Sequence, residues 1–383
     1  MTFSWLQRFE QIQNSLLSTV EPAQPDDKAY VMRQHHPLLS PISWHVGHCV
    51  YIEALWIRGR LAGNCSLAKE LEPVYRPEFV SKSERQDLFK SPGQLFFWAQ
   101  QLMFEHLELL ESLSRFTEGM SPQYIAEFLI NHHAQHRETI EMVKVARNQA
   151  NGDKVPQSFV PIRPKKGGIL LNRVPGGKYG VGSTGGFSFD NESPRHSVDL
   201  RSFKVAKMPV SNSQFLAFVE DGGYRNKMLW SACGWHWKLK VSAEAPRSWR
   251  RGLEGGWSVQ TPTGSQASVD DIAVSGVTYY EASAFALWVG LRLPHEYEWE
   301  VAATMNLISG RREVWEWCSN VFHPYHGFSP YTYPEYSIPW FDLRHYVLRG
   351  GSISTEIEVQ RTSFRNYYLA DTDYLSSGIR VAE

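Results

Sequence analysis

Residues 132–138 read His132-His133-Ala134-Gln135-His136-Arg137-Glu138, within a segment (122–147) whose apolar residues recur at helical spacing. Because His132 and His136 are four positions apart, a helix places both imidazoles on one face, one turn apart. Two imidazoles in that arrangement can share one metal ion. The stretch therefore predicts a helix that carries a candidate metal site, although histidines at this spacing also occur as exposed or capping residues.

A second pair of histidines, His45 and His48, lies in the stretch Trp44-His45-Val46-Gly47-His48 on another predicted helix. Helical bundles build metal sites from side chains on facing helices, so either histidine is a candidate for a third ligand. A set of neutral imidazoles suits Fe, Zn, Cu or Ni. Residue spacing alone does not choose among these metals, or between His45 and His48.

The first 150 residues are poor in glycine and continue the helical pattern, with another helix predicted over 94–115. We predict a small helical bundle for residues 1–150, because short connections between amphipathic helices are typical of bundles. The sequence Asn151-Gly152-Asp153, followed by three prolines, predicts a linker over residues 151–168.

Residues 169–383 have a different composition, with frequent glycine, clustered aromatic residues and short strand-like stretches. One clear helix is predicted near residues 280–289. The pattern predicts a loop-rich α+β domain, so the chain as a whole falls in the α+β class with a helical bundle first.

The composition excludes several partners. The 383 residues carry a net charge of −1, and the longest basic stretch is Arg163-Pro164-Lys165-Lys166, so we expect no nucleic-acid partner. The four cysteines form no CxxC pair, which indicates a reducing compartment. The start of the chain lacks the order of a signal peptide, and no apolar run is long enough to span a membrane. We expect a cytoplasmic protein without a membrane partner.

Two stretches make a family resemblance visible. Ser40-Pro41-Ile42-Ser43-Trp44-His45-Val46-Gly47-His48 resembles the first signature of the ergothioneine-pathway sulfoxide synthases and of the related selenoneine synthases, and residues 132–138 resemble the second, HxxQHxE. In that family both signatures lie in a DinB-like four-helix bundle.

The C-terminal half resembles the partner domain of the same family, which has the formylglycine-generating-enzyme fold, a relative of C-type lectins. The matching pieces include Val174-Pro175-Gly176-Gly177, Pro209-Val210-Ser211-Asn212, residues 292–300, Val314-Trp315-Glu316-Trp317, Leu348-Arg349-Gly350-Gly351-Ser352, Ser363-Phe364-Arg365-Asn366 and Gly378-Ile379-Arg380. The resemblance spans nearly the whole chain, in order. Residues 361–383 contain no cysteine, which argues against formylglycine formation itself.

The resemblance implies a site between the two domains. Enzymes of the family hold one ferrous iron with three histidines, and the matching positions are His48, His132 and His136. Oxygen is the co-substrate, and the acceptor is hercynine, the trimethylated betaine of histidine, which receives a chalcogen at imidazole C2.

The resemblance also implies roles for five further residues. Asn366 matches the family residue that hydrogen-bonds the substrate imidazole, and Gln135 matches a glutamine near the substrate. Tyr367 is expected to face the trimethylammonium group, which favours aromatic partners. Tyr325 is the candidate donor of a proton or electron, and Glu138 the candidate outer partner of a metal-bound histidine. Asparagine also caps turns and tyrosine also packs in cores, so these alternatives stay open.

The donor of the chalcogen is predicted from positions at which the chain differs from the pattern of the family. A carboxylate-rich donor such as γ-glutamylcysteine favours arginine partners, and Arg85 is the only plausible one after the first histidine helix. Where arginines are expected before the final motif, the chain has instead Asp371, Asp373, Ser376 and Ser377. These side chains suit the hydroxyl groups of a selenosugar. We therefore favour the selenoneine synthase subgroup, with a cysteine-type thiol donor as the alternative.

Two other classes of function are compatible with parts of the sequence. A lectin-like domain could be a non-catalytic binding module that holds sugars through Ca²⁺. A DinB-like bundle could use Zn²⁺ to activate a thiol for transfer. The first leaves the histidines unexplained, and the second leaves the C-terminal domain unexplained.

Overall fold

The computed structural model describes residues 4–21, 27–85, 89, 91–113, 121–151, 158–252, 256–261, 269–331 and 333–383. The chain forms two compact units. We call Met1–Gly152 with Glu356–Val359 the helical unit, and Asp153–Thr355 with Gln360–Glu383 the mixed unit. The first consists of helices, while the second combines short strands and helices, which confirms the predicted α+β class with a helical bundle first.

Six α-helices build the helical unit: α1 (Trp5–Leu17), α2 (Asp27–Met32), α3 (Ile42–Glu53), α4 (Ser66–Tyr75), α5 (Pro92–Leu113) and α6 (Pro122–Asn151). Helix α3 continues directly into a π-helix, Ala54–Leu61, and a 3₁₀ turn follows at Lys82–Glu84. Helix α1 packs against α5 and α6, and α3 packs against α4, α5 and α6. Helices α1, α3, α5 and α6 therefore form the predicted bundle around a shared core.

Helix α3 is the central helix of this bundle, because every residue from Ile42 to Glu53 is buried. A helix that is buried on all sides is normally apolar all round. Helix α3 instead carries three strongly polar side chains into the core, His45, His48 and Glu53. A buried polar group costs free energy unless it is hydrogen-bonded, so these three side chains require partners from neighbouring helices.

Gly47 allows α4 to approach α3 closely. A Cβ atom at position 47 would lie 2.1 Å from Cε1 of Tyr75, which ends α4. Only a residue without a side chain leaves room for that ring. The close approach also brings the Tyr75 carbonyl to 2.8 Å from Nδ1 of His48.

The mixed unit contains eleven strands: β1 (Ser158–Pro161), β2 (Leu171–Val174), β3 (Gly177–Val181), β4 (His196–Leu200), β5 (Phe203–Ala206), β6 (Trp249–Arg251), β7 (Trp257–Thr261), β8 (Trp315–Val321), β9 (His345–Gly350), β10 (Asn366–Leu369) and β11 (Ser377–Gly378). The largest sheet has the order β10-β9-β8-β11, with only the β8–β11 pair parallel. A second sheet has three strands in the order β1-β7-β6. Strand β2 pairs antiparallel with β5, and β3 pairs antiparallel with β4.

The mixed unit has four α-helices: α7 (Asn212–Glu220), α8 (Ala232–Val241), α9 (Tyr279–Trp288) and α10 (Glu296–Thr304). The prediction of a single clear helix found α9 and missed the other three, which are short and flanked by loops. Among the described residues, no helix has both the length and the apolar character needed to cross a membrane.

Part of the segment predicted as a linker, 151–168, is strand β1. It pairs antiparallel with β7, with Ser158 opposite Thr261 and Pro161 opposite Ser258. Strand β1 lies at the edge of its sheet, where a proline without an N–H is tolerated, and Pro161 is its last residue.

Buried ion pairs hold the loops of the mixed unit together: Arg349–Glu300, Arg365–Glu296 and Arg380–Glu316. The guanidinium of Arg380 donates to both oxygens of Glu316 (2.6 and 2.7 Å) and to the carbonyl of Ala206 (2.7 Å). Each partner satisfies the charge of the other inside the core. Several sequence pieces that carry the resemblance thus have a structural explanation as partners in these pairs.

Candidate metal centre

Three histidines come together inside the helical unit. His48 comes from α3, and His132 and His136 come from one face of α6. Their candidate ligand nitrogens all lie within 4.8 Å of one another. The ring centroids are 5.2 Å apart for His48–His132, 4.8 Å for His48–His136 and 4.5 Å for His132–His136. The structure thus brings together the three histidines that the sequence analysis singles out.

The Nδ1 atom of each ring has a partner on the outer side of this cluster. Nδ1 of His48 donates to the Tyr75 carbonyl, Nδ1 of His132 lies 3.2 Å from Nδ1 of His133, and Nδ1 of His136 lies 2.9 Å from Nδ1 of His45. Metal-binding histidines usually have such outer partners, which fix the ring and its tautomer. This arrangement would leave Nε2 of each ring for a metal, and it places His45 in contact with His136.

Burial keeps the three rings neutral. Desolvation lowers the pKa of His48 to about 4, and burial together with neighbouring imidazoles lowers the pKa of His132 and His136 well below the usual range. A neutral imidazole offers the lone pair that a metal requires. Three neutral nitrogen ligands fit a divalent transition metal such as ferrous iron and leave coordination positions open for small molecules.

A second set of three ligand atoms, from Cys49, His132 and His133, also lies within 4.8 Å. Burial, and then the nearby Glu53 carboxylate, raises the pKa of the Cys49 thiol well above its usual value, so the thiolate form is disfavoured. Both ring nitrogens of His133 are also engaged, one by His132 and one by Glu53. The set with His48 and His136 is therefore the better metal site.

Glu53, which the sequence analysis did not single out, is a buried carboxylate beside the histidines. Its carboxylate is fully buried and accepts hydrogen bonds from Nε2 of His133 (2.8 Å), Nδ1 of His106 (2.9 Å) and Nε2 of Gln13 (3.1 Å to each oxygen). Burial opposes its ionisation, but the bonds from the two histidines outweigh burial and hold the pKa of Glu53 below its usual value. Its signal in the sequence is a single acidic residue within an apolar helix.

Glu138 and Gln135 lie on α6 beside the ligand candidates. Glu138 is buried, and its expected role as an outer partner of a metal-bound histidine stays a prediction. Gln135 is partly buried and its amide nitrogen donates to the Asn131 carbonyl (3.2 Å).

Arg85, the candidate partner for a donor carboxylate, is buried in the helical unit, and its role in donor binding stays a prediction. Its guanidinium is buried and donates to the carbonyls of Val80 (3.0 Å) and Pro77 (2.9 Å) and to Oγ of Ser40 (2.7 Å). It also lies 3.8 Å from the ring centroid of Trp44, and Trp44 stacks on His48 with centroids 4.8 Å apart. Arg85 therefore acts on the metal cluster by supporting the Trp44 ring that packs on a ligand candidate.

Tyr325 is a core aromatic of the mixed unit. Its side chain is 2% exposed, the Arg365 guanidinium lies 4.1 Å from its ring centroid, and its hydroxyl donates weakly to Glu296 (3.5 Å). Burial, and then the Glu296 carboxylate, raises the pKa of Tyr325 well above its usual value. These contacts match the packing alternative, and a role as proton donor stays a prediction.

Asn366 and Tyr367 begin strand β10. Oδ1 of the Asn366 side chain accepts from the Tyr367 backbone N–H (3.0 Å), which is a local turn-type contact. Tyr367 is partly buried, stacks on Phe322 with centroids 4.2 Å apart, and donates its hydroxyl to the Tyr336 carbonyl. Both side chains are held rigidly, and their roles in substrate binding stay predictions.

The four residues expected to bind a sugar have different environments. Ser377 is fully buried and its hydroxyl donates to the Val277 carbonyl (2.6 Å), and its role in sugar binding stays a prediction. Asp371 is exposed and Ser376 is partly buried. Asp373 pairs with Arg247 (3.1 and 3.2 Å) and lines a cleft of about 480 Å³. Three tryptophans, Trp237, Trp249 and Trp257, also line that cleft.

Comparison with protein families identifies both parts of the chain. Residues 8–140 match the DinB superfamily, and residues 165–313 match the sulfatase-modifying factor enzyme 1-like domain. Both matches confirm the domain types expected from the sequence motifs.

Similar proteins cover nearly the whole chain. The hercynine oxygenases of Mycolicibacterium smegmatis and Mycolicibacterium thermoresistibile are 29% and 30% identical to it, each over 93% of this chain and over 94% and 90% of their own lengths. Ergothioneine biosynthesis protein 1 of Schizosaccharomyces pombe is 27% identical over 51% of this chain and 28% of its own length.

Proposed function

Because the chain belongs to the family of the hercynine oxygenases, we propose that it is a non-haem iron enzyme that uses O₂ to form a carbon–chalcogen bond at imidazole C2 of hercynine. The observation that carries the proposal is the cluster of His48, His132 and His136, whose ligand nitrogens lie within 4.8 Å of one another. Ferrous iron, when bound, supplies the reaction with O₂ and open positions for co-substrates.

The chain's own contribution to the chemistry is to hold three imidazoles neutral and aligned. Burial prevents protonation of the rings, so no proton competes with the metal at neutral pH. The bonds from Nδ1 of His48 to Tyr75 and of His136 to His45 prevent rotation of the rings. Both features support a site that is formed before the metal arrives, which reduces the ordering cost of binding.

For the acceptor, we propose that Asn366, Tyr367 and Gln135 bind hercynine. An amide can pair with a neutral imidazole through either its oxygen or its nitrogen. A trimethylammonium group cannot donate strong hydrogen bonds, so the face of a tyrosine is a suitable partner. The rigid packing of Tyr367 on Phe322 supports this role, because a fixed ring loses little entropy when a substrate binds.

For the donor, we propose a selenosugar, with a cysteine-type thiol as the alternative. The engagement of Arg85 by three protein acceptors supports a donor without several carboxylates. Arg247 is likewise neutralised by Asp373. The cleft beside Asp373 offers tryptophan faces and a carboxylate, a combination that suits sugar rings and their hydroxyl groups.

One mass-spectrometric assay tests the proposal. Protein loaded with Fe(II) meets hercynine and O₂, while a selenosugar, cysteine and γ-glutamylcysteine compete in one tube. We expect a hercynine–selenosugar adduct, and a cysteine-type adduct would keep the iron enzyme and replace the donor. No adduct from iron-loaded protein would refute hercynine as the acceptor.

The matched variants are His132→Ala and His236→Ala. His132 belongs to the proposed ligand set, whereas His236 is an exposed histidine of the mixed unit. We expect His132→Ala to lose iron and turnover, and His236→Ala to keep both. Full iron content in His132→Ala would show that the ligand assignment is wrong.

A further inference from the structure

The buried carboxylate of Glu53 requires an explanation beyond stability. It is fully buried on the central helix of the bundle and ionised in preference to neutral, as the lowered pKa shows. Apolar side chains of similar size are often as stable as buried charges, or more so. Among the residues that the structure describes, no lysine or arginine pairs with Glu53. A core that needed only packing would not retain this charge.

The hydrogen bonds from Glu53 lead directly to the metal cluster. A carboxylate only accepts, so Nε2 of His133 donates its proton to Oε1 of Glu53 (2.8 Å). In a neutral His133 ring, Nδ1 then has the lone pair and accepts from Nδ1 of His132 (3.2 Å). His132 is left with its lone pair on Nε2, the nitrogen that is not engaged by His133.

We propose that Glu53 and His133 form a positioning chain, carboxylate–imidazole–imidazole, that fixes the tautomer of His132 and increases its electron donation to the metal. The inference rests on the proposed iron site. With Nε2–H of His133 directed at the carboxylate, the Nδ1 lone pair of the neutral ring faces Nδ1–H of His132, and Nε2 of His132 is the nitrogen that can bind a metal.

Gln13 and His106 hold the carboxylate for this task. The Gln13 amide donates to both oxygens of Glu53 and also to the Met103 carbonyl, which ties α1, α3 and α5 together. Nδ1 of His106 donates to the second oxygen. His106 lies off the path to His132, because its contact is with Oε2, whereas His133 contacts Oε1. The two histidines therefore make a matched pair for an experiment.

The test compares Fe(II) affinity and the Fe(III)/Fe(II) midpoint potential in the full-length protein and in Glu53→Gln, His133→Leu and His106→Leu. We expect Glu53→Gln and His133→Leu to bind Fe(II) about 10- to 100-fold more weakly, as is usual when an outer partner of a ligand is lost. Their midpoint potential is expected to rise, because a less electron-rich ligand stabilises Fe(III) less. His106→Leu is expected to stay within about threefold of wild-type affinity, since the chain to His132 is intact.

The outcomes separate this inference from the proposed function. Wild-type protein without iron, or full iron in His132→Ala, would refute the metal site itself. Iron in wild type, its loss in His132→Ala, and wild-type affinity and potential in His133→Leu would refute only the chain. Equal weakening in His106→Leu and His133→Leu would also refute it, because the effect would then come from general loss of packing. If Glu53→Gln does not fold, the result for His133→Leu alone tests the chain, because in that variant Glu53 still accepts hydrogen bonds from Gln13 and His106.

Discussion

Lowering the pH from about 7.5 to about 5.5 is expected to destabilise the iron-free protein through its buried imidazoles. Desolvation lowers the pKa of His48 to about 4 and that of His45 to about 3, from 6.5 in an unfolded chain. Because the folded pKa values are the lower ones, the unfolded state binds protons first. The stabilisation from the neutral rings is complete above the unfolded pKa and is lost as the pH falls toward the folded values.

The size of the effect follows from the same values. At about pH 5.5 an unfolded imidazole is about 90% protonated, whereas the folded His48 and His45 rings are still neutral. Each ring therefore costs about 1.4 kcal/mol of unfolding free energy, and the two together about 3 kcal/mol. That is a large part of the stability of an ordinary domain.

The assay is urea denaturation of iron-free protein at both pH values, in wild type and in the double variant His45→Asn, His48→Asn. Carboxylates also titrate in acid, but they contribute equally to both proteins, so the difference isolates the two rings. On acidification, we expect the unfolding free energy of the double variant to fall by about 3 kcal/mol less than that of wild type. An identical loss in both proteins would refute the interpretation that burial holds these rings neutral.

Three other predictions follow from the packing. Gly47→Ala forces a Cβ into the Tyr75 ring, so we expect the unfolding free energy to fall by about 1–3 kcal/mol and iron binding, measured by titration, to weaken about tenfold. The control is Gly59→Ala, because a Cβ at position 59 has ordinary space. Equal effects of the two substitutions would contradict the role of position 47. Arg380→Ala leaves the buried Glu316 carboxylate without its arginine partner, so we expect the unfolding free energy from chemical denaturation to fall by about 3–5 kcal/mol. A decrease below about 1 kcal/mol would show that the ion pair is dispensable. Chelation of iron is expected to lower the unfolding free energy by about 2.7 kcal/mol for iron at a hundredfold excess over its Kd, and therefore to lower the Tm reversibly. An unchanged Tm would refute iron binding to the folded state.

The ligand cluster could be predicted from the sequence because its main cause is local. The spacing of His132 and His136 fixes their common face as soon as the segment is a helix. The choice of His48 over His45 could not be made in that way. It depends on the outer contacts, where Tyr75 accepts from one ring and His136 meets the other. Those contacts join residues that are 27 and 91 positions apart.

The short helices of the mixed unit show a signal that was present and not used. Ser211 and Gln214 form a capping box at the start of α7, and His295 and Glu298 form one at the start of α10. Such boxes mark a helix start even where the apolar pattern is too short to show a period. Ser211 and Gln214 have the residue types of such a box, so this pair would have predicted α7 from the sequence, whereas His295 at the start of α10 departs from the pattern.

The burial of two residues expected to bind the donor could not be predicted from the sequence. Arg85 and Ser377 have the right chemistry for a polar ligand, but their donors are already used by protein carbonyls and a hydroxyl inside the core. Residue type shows what a side chain can bind, and only packing shows whether it is free to do so. Asp373 differs, since it lines an open cleft.

Buried carboxylates occur in both units, but their partners differ, and we infer different roles for them. In the mixed unit, Glu296 and Glu316 each have an arginine partner, so charge is balanced locally and the pair serves the fold. Glu53 in the helical unit meets Gln13, His106 and His133, and its charge is directed through an imidazole toward the ligand cluster. Substitution should therefore separate the two kinds: loss of Glu316 lowers the unfolding free energy with iron affinity unchanged, whereas loss of Glu53 changes iron affinity and potential.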